Sequence, residues 1–525
     1  MSNQTQKFVK GTLILSVAGL VGKILSAFFR VPLTALIGDK GLGYYGLSYP
    51  IYTLFSAIAI VGLPSTVAKL VAEKRVHNKD AEAHQVFIHT FKLMLIIGVL
   101  MSAIVLLGAP WMIKTFNWEQ EAIYSIWGLS LSPIFVCIMG VYRGYFQGMQ
   151  DMVPTAISQV LENAGRVVMG LLLAVFFMPD VAKAAGGASF GAVAGGLLGS
   201  LVLMIMYMRR HSNIMERVKK TKSNSSILTF KETSKTVLQM AIPISIGTAI
   251  NSIIAMIDSG LVVMRLRDYG IAAEMATELY GQVAKVATFI NFPFAFGLAL
   301  VTGLVPSIAE AMARNDKKEL FDKIELGTRL SLVIALPASI GLSVLAHPIM
   351  AFIYPKYPAG GDILAVTAIS IIFAMLGQAL TGVLQGMGNV WAPIYALIGA
   401  VIIKFLGNYI LIATPLGAVG AGVASIAGYG IYALINYIIL RRSIGFRLNV
   451  KFVIIKPLIA SLVMGVAAYG SSRFLSQLLD MSSKTNNAMV TLGSILVGAI
   501  VYVVVLIVIG GISQEDIAHI RNRKN

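Results

Sequence analysis

Seven ionisable side chains stand well inside apolar stretches of this 525-residue chain: Lys23, Arg30, Glu162, Arg166, Asp258, Lys285 and Lys404. An ionisable group near the centre of a bilayer costs about 2.5–3.5 kcal/mol on insertion scales, so each is a candidate for binding or transport chemistry. Lys23 and Arg30 lie seven residues apart within LSVAGLVGKILSAFFRVPLTALIG (15–38). On a helix that spacing puts both on one face, about 10 Å apart along the axis. Stacked like charges repel unless an anion, a neighbouring acid or water lies beside them. Glu162 and Arg166 are spaced i,i+4 with the acid first, the order in which the two satisfy each other as an ion pair. With that pair set aside, Lys23, Arg30, Lys285 and Lys404 stand against Asp258. The surplus is positive. It suits an anionic cargo, phosphate above all, because a guanidinium presents a bidentate fork to phosphate oxygens.

Lys404 and Asn408 share a helix face in IIKFLGNYILI (402–412), and Asp258 sits in NSIIAMIDSGLVVMRLR (251–267). Two readings stand side by side. Asp258 forms an ion pair with Lys404, or, as the family resemblance given below implies, the oxygens of Asp258 and Asn408 bind a hard cation and couple transport to Na+ or H+. No nucleophile–base pair is evident: His84 and His89 are spaced i,i+5 without a carboxylate motif, and the single cysteine, Cys137, lies in an apolar run. An enzyme is therefore not indicated, and no Cys/His spacing suggests a metal. The glycine-rich AAGGASFGAVAGGLLGS (184–200) lacks the Lys-Ser/Thr ending of a nucleotide loop and reads as close helix packing.

The elements that must carry these residues are membrane helices. Hydrophobic residues make up 57% of the chain and charged residues 13%, with a mean hydropathy of +0.80. A soluble domain cannot cover so much apolar surface. Apolar runs of about 20 residues or more recur at the length that crosses a bilayer. They predict an all-α polytopic protein with fourteen spans: 11–37, 45–70, 85–108, 121–146, 153–178, 187–208, 236–264, 280–310, 327–346, 361–384, 391–413, 417–440, 452–474 and 488–511. The first run reads as a span, not a cleaved signal. The loops 69–80, 209–235 and 441–456 are rich in Lys and Arg and the alternate loops are poor in them, so both termini are expected in the cytoplasm. The formal charge of +18 is thereby a topology signal, with no nucleic acid implied. Tyr44, Tyr45, Tyr49 and Tyr52 are expected to form an interfacial belt, and Arg143 to snorkel from a helix end.

Two motifs repeat. GLPSTVAK (62–69) ends span 2 and GLVPSIAE (303–310) ends span 8; YFQGMQDMVP (145–154) ends span 4 and VLQGMGNVWAP (383–393) ends span 10. Both pairs are six spans apart with nearly the same offset, which argues for duplication. Six is even, so the halves enter the membrane in the same sense and form a parallel repeat. The expected organisation is a six-helix lobe over 1–222, a second over 223–445, and two further helices with a tail over 446–525.

The Arg30 helix, GLPSTVAKLVAEK, YRGYFQGMQDMVPTAISQ, GLVPSIAEAMARN and KFLGNYILI resemble the polysaccharide-transporter branch of the multidrug/oligosaccharidyl-lipid/polysaccharide exporter superfamily. That branch includes the MurJ-type lipid II flippases and stage V sporulation protein B. The resemblance covers nearly the whole chain. It implies an alternating-access flippase for an undecaprenyl-diphosphate-linked saccharide, lipid II first, with another lipid-linked polysaccharide unit or a cation-coupled drug exporter as alternatives. It also implies a bacterial cell membrane, surrounding lipid and the cell-wall synthesis machinery as partners. Arg30 falls at the place of a cavity arginine that engages the diphosphate. The arginine that such proteins often carry on helix 2 is replaced by LSYPIYTLF (47–55), Lys285 is the nearest cation to the one expected on helix 8, and Val31 stands where an acid often follows. A helix-7 acid and a helix-11 amide bind sodium in some members, which is what the resemblance implies for Asp258 and Asn408.

Overall fold

The computed structural model describes residues 3–57, 62–221, 227–479 and 483–511; their side chains are described except at scattered positions in 3–27 and 243–251 and at 299 and 302. Nearly all of these residues are helical. The order is α1 (Asn3–Ala57), α2 (Leu63–Val76), α3 (Asp80–Thr115), α4 (Ile123–Leu129), α5 (Ser132–Gly148), α6 (Val153–Phe177), α7 (Val181–Thr221) and α8 (Phe230–Asp268). There follow α9 (Ala273–Ala313), α10 (Lys317–Val344), α11 (Ala346–Ile353), α12 (Gly361–Thr367), α13 (Ser370–Gly386), α14 (Ala392–Leu411), α15 (Val419–Ile444), α16 (Lys456–Leu478) and α17 (Lys484–Val508). Among the described residues, eleven helical segments are long and apolar enough to cross a membrane. Helix α8 and the two arms of α1 complete fourteen. The arms meet at Gly38, whose φ of 69° and ψ of −174° a side chain would resist.

Burial follows the solvent expected of a bilayer. Large apolar side chains such as Leu107, Val466 and Val508 point outward, while serines and threonines are buried between helices. On α1 the inward face is Phe29, Leu33 and Ile37, and Phe28 is 71% exposed. Arg30 lies two residues on from Phe28, about 200° around the helix, and so points away from the surface that Phe28 presents.

Residues 1–267 and 272–281 form one compact unit, and 268–271 with 282–525 a second. In the first, α7 packs along α6 through its glycines. A Cβ at Gly195 would meet the Glu162 carbonyl oxygen at 2.3 Å, and one at Gly191 the Arg166 carbonyl oxygen at 2.5 Å. The small residues thus bring two backbones together at the level of two ionisable side chains. In the second unit, α16 and α17 pack on α10 through Ala460, Met464, Tyr502 and Leu506, and the Tyr502 hydroxyl donates to the Val333 carbonyl at 2.7 Å.

The duplication has a structural signature. Helices α5 and α13 end at Gly148 and Gly386, and each follows a short helix, α4 or α12, across a two-residue break. A Cβ on Gly148 would lie 2.7 Å from Val71 of α2, and one on Gly386 2.8 Å from Ile308 of α9. The two repeated motifs therefore touch each other in both halves: the Gln-Gly-Met turn rests on the Gly-Leu-Pro helix in one and on its counterpart in the other.

Candidate functional site

Arg30 extends from the first arm of α1, with its guanidinium carbon 5.5 Å from the centre of the Tyr49 ring. Tyr49 stacks on Tyr45 at 5.4 Å and meets Tyr52 at 5.8 Å. The three tyrosines are spaced i, i+4 and i+7 on the second arm of α1, so they form a stripe down one face. Tyr44, Tyr45 and Tyr52 are buried, which corrects the interfacial belt. The stripe places a ladder of rings beside two cations, since the Arg166 guanidinium lies 5.9 Å from the Tyr52 ring. A guanidinium held over an aromatic face gains about 0.5–2 kcal/mol, more as water is excluded.

Glu162, beside this ladder, is shared between Tyr52 and a third arginine. Glu162 Oε2 accepts from Arg143 Nη2 at 2.8 Å, and Glu162 Oε1 accepts from the Tyr52 hydroxyl at 3.2 Å. Arg143 Nε also donates to Ser158 Oγ at 3.0 Å. Arg143 is 3% exposed and Glu162 6%. The expected ion pair between Glu162 and Arg166 is thus replaced by one between Glu162 and Arg143, and Arg143 does not snorkel. The reason is geometric. Helix α5 brings Arg143 alongside α6, while Arg166 turns toward α1 and donates to Ser26 Oγ at 2.5 Å and to Asn163 Oδ1 at 2.6 Å. Both of those partners are neutral. Arg166 thus keeps its charge beside Tyr52 with neutral hydrogen-bond partners, and Arg30 stands one ring away, over Tyr49.

Asp258 belongs to the same unit. Tyr280 donates to the Gly46 carbonyl at 3.1 Å and lies close enough to Asp258 and Arg30 to sense both charges. The side chain of Lys23 lies outside the described residues, although its backbone is helical. Lys285, Lys404 and Asn408 belong to the second unit and are buried. Lys285 Nζ donates to the carbonyls of Tyr357 and Ala359 at 2.8 and 3.0 Å and lies 5.4 Å from the Tyr354 ring. It braces the segment before α12. Lys404 Nζ donates to the Ala421 carbonyl at 2.9 Å and to Ser425 Oγ at 2.7 Å, tying α14 to α15, with Asn408 one turn further along.

Sequence reading passed over Arg143, Ser26, Asn163 and the tyrosine stripe. The i, i+4, i+7 spacing of Tyr45, Tyr49 and Tyr52 was the available signal, because an interfacial ring does not require a helical period. Arg143 offered none: three residues from the end of the expected span 121–146, it is within snorkelling reach by length alone.

Among the described residues, the run of apolar spans, the motif pair repeated in each half and the buried cations fit a membrane transporter of the exporter superfamily named above. Solved structures with the same fold include the lipid II flippase MurJ in an inward closed conformation, with a TM-score of 0.71 at 17% identity over 94% of this chain and 98% of that one. A multidrug resistance MATE family transporter of the MOP superfamily, in an inward-facing conformation, gives 0.69 at 17% identity over 83% and 98%. Residues 8–274 match the family described as polysaccharide biosynthesis protein, and residues 243–410 match MatE. The chain belongs to the polysaccharide biosynthesis protein family. Its relatives in Bacillus subtilis include stage V sporulation protein B, 26% identical over 98% of both chains, and the lipid II flippase MurJ, 28% identical over 88% of both.

Proposed function

We propose that the protein is an alternating-access flippase that moves an undecaprenyl-diphosphate-linked saccharide from the inner to the outer leaflet of a bacterial cell membrane, lipid II being the favoured cargo. The observation that carries this reading is the tyrosine-backed pair of guanidiniums, Arg30 and Arg166, beside a glutamate already occupied by Arg143. A diphosphate is the anion that two forked donors with apolar surroundings suit best. A carrier of cationic drugs would gain from the opposite sign. Lys23, Lys285 and Lys404 remain secondary candidates for the diphosphate; the last two would first have to release backbone carbonyls.

Coupling to Na+ or H+ through Asp258 and Asn408, a cytoplasmic location for both termini and contact with the cell-wall synthesis machinery complete the proposal. Membrane potential adds a drive of about 2.3 kcal/mol per charge per 100 mV. A second cargo, another lipid-linked polysaccharide unit, is favoured by the full-length likeness to stage V sporulation protein B. The test is rescue of cells depleted of their own lipid II flippase. The expected result is growth with the wild-type chain and none with Arg30→Ala at equal membrane abundance. Failure of the wild-type chain to rescue would shift the cargo to the second reading, and rescue by Arg30→Ala would remove the arginine from the site.

A further inference from the structure

A cavity of about 250 Å³ opens at the end of the first unit where the basic segments 69–80 and 209–221 converge. It is separate from the tyrosine-backed site. Asp151, on its wall, precedes α6, and Arg166 lies thirteen residues into that helix from Val153, about 20 Å along the axis. Three arginines line the cavity: Arg75 from the end of α2, and Arg210 and Arg217 from α7. Arg75 Nε is bonded to Asp80 Oδ1 at 3.0 Å, and Arg210 Nη1 to Asp151 Oδ2. Each aspartate uses one nitrogen of a guanidinium that carries five N–H donors, so the pairs aim the arginines without exhausting them. The Phe146 ring lies 5.6 Å from the Arg210 guanidinium and supports it from below. Arg217 ion-pairs with none of the described residues, and its neighbour Glu216 is held by Lys220 at 2.6 Å. Asn213 and Tyr145, whose hydroxyl lies 3.4 Å from His84 Nδ1, complete the polar wall, while Ile214 and Val218 give an apolar side.

We propose that this cavity binds a phosphate ester, with Arg217 and the remaining donors of Arg75 and Arg210 holding the phosphate and the apolar side accepting the ester's alkyl carbon. Three guanidiniums against two aspartates leave one net positive charge, which selects a monoanion such as a phosphodiester. The volume lies below the roughly 300–1,000 Å³ of drug-sized ligand sites, so the occupant is of headgroup size and not a saccharide chain. A ligand here bridges α2 and α7 and fixes the base of the first unit. The proposal does not depend on the identity of the transported cargo.

The purified full chain in neutral detergent provides the test, because a micelle lacks the general attraction of a charged bilayer. Binding is measured by calorimetry with short-chain phosphatidylglycerol, glycerol 3-phosphate and short-chain phosphatidylcholine. Phosphatidylglycerol binding that weakens about tenfold in Arg217→Ala and is unchanged in Arg441→Ala supports the site; Arg441 is exposed and lies in the last turn of α15, in the second unit. Equal binding of glycerol 3-phosphate identifies a free phosphate ester as the source, and its absence identifies a lipid headgroup. Equal binding of phosphatidylcholine, equal losses in both variants, or no binding by any of the probes overturns the proposal. Unchanged thermal unfolding of ligand-free Arg217→Ala confirms that the loss is one of binding.

Discussion

Arg143 and Glu162 are each more than nine-tenths buried and held to each other at 2.8 Å, so neither charge can be removed singly without exposing the other to an apolar interior. Glu162→Gln is expected to lower stability by about 3–5 kcal/mol, while the joint change of Arg143 and Glu162 to Met costs much less. Thermal unfolding in detergent distinguishes the two, and a double variant as unstable as the single one would argue against an isolated pair. Arg166 behaves differently, since its partners Ser26 and Asn163 are neutral. Replacing it by Gln should leave the midpoint within a few degrees yet reduce flipping strongly. Loss of charge-assisted bonds to phosphate is worth about 1.5–3 kcal/mol, or roughly 10- to 100-fold in affinity. Arg166→Lys keeps the charge and loses the fork, so intermediate activity is expected in reconstituted vesicles.

At the scale of elements, the glycines of α7 set how closely that helix approaches α6. Gly195→Ala is expected to destabilise the first unit and disturb Glu162, because its new carbon would fall 2.3 Å from that residue's carbonyl oxygen. Gly430→Ala on α15 and Gly470→Ala on α16 meet nothing within 4 Å and should be neutral or stabilising by up to about 1 kcal/mol. Equal unfolding midpoints for the three variants would show that α6 and α7 separate freely. Lys285 supplies a second element-scale prediction. Its ammonium braces two carbonyls between α11 and α12, so Lys285→Met should raise hydrogen exchange across residues 354–360. Unchanged exchange there, with flipping lost, would assign the lysine to cargo binding instead.

For the whole molecule, the repeat predicts that the chain tolerates a break between its lobes. Fragments 1–222 and 223–525 expressed together should restore whatever activity the intact chain shows, and neither should do so alone. The expected orientation is read from reporters: a fluorescent protein that folds only in the cytoplasm should be bright at either terminus, and a periplasm-dependent phosphatase inactive there. Opposite results at the two ends would contradict an even number of spans.

Amino-acid order alone determined the solvent, the number of spans and the duplication, since each rests on run length, loop charge or local turn chemistry that a single segment carries with it. The Gln-Gly-Met turns ended helices at Gly148 and Gly386, the chain reversing two residues on through a positive φ at Gln150 and Gly388, which is local chemistry that travels with the motif. The excess of Lys and Arg over acids within the apolar runs was also legible. Which charge met which was decided only by tertiary packing. Glu162 and Arg166 are well spaced for each other on one helix, yet the rotation of α6 and the arrival of α5 gave the glutamate to Arg143 and turned Arg166 toward α1. Pair choice in a membrane depends on interhelical distances of a few ångströms, and those are set by small residues on helices remote in the chain.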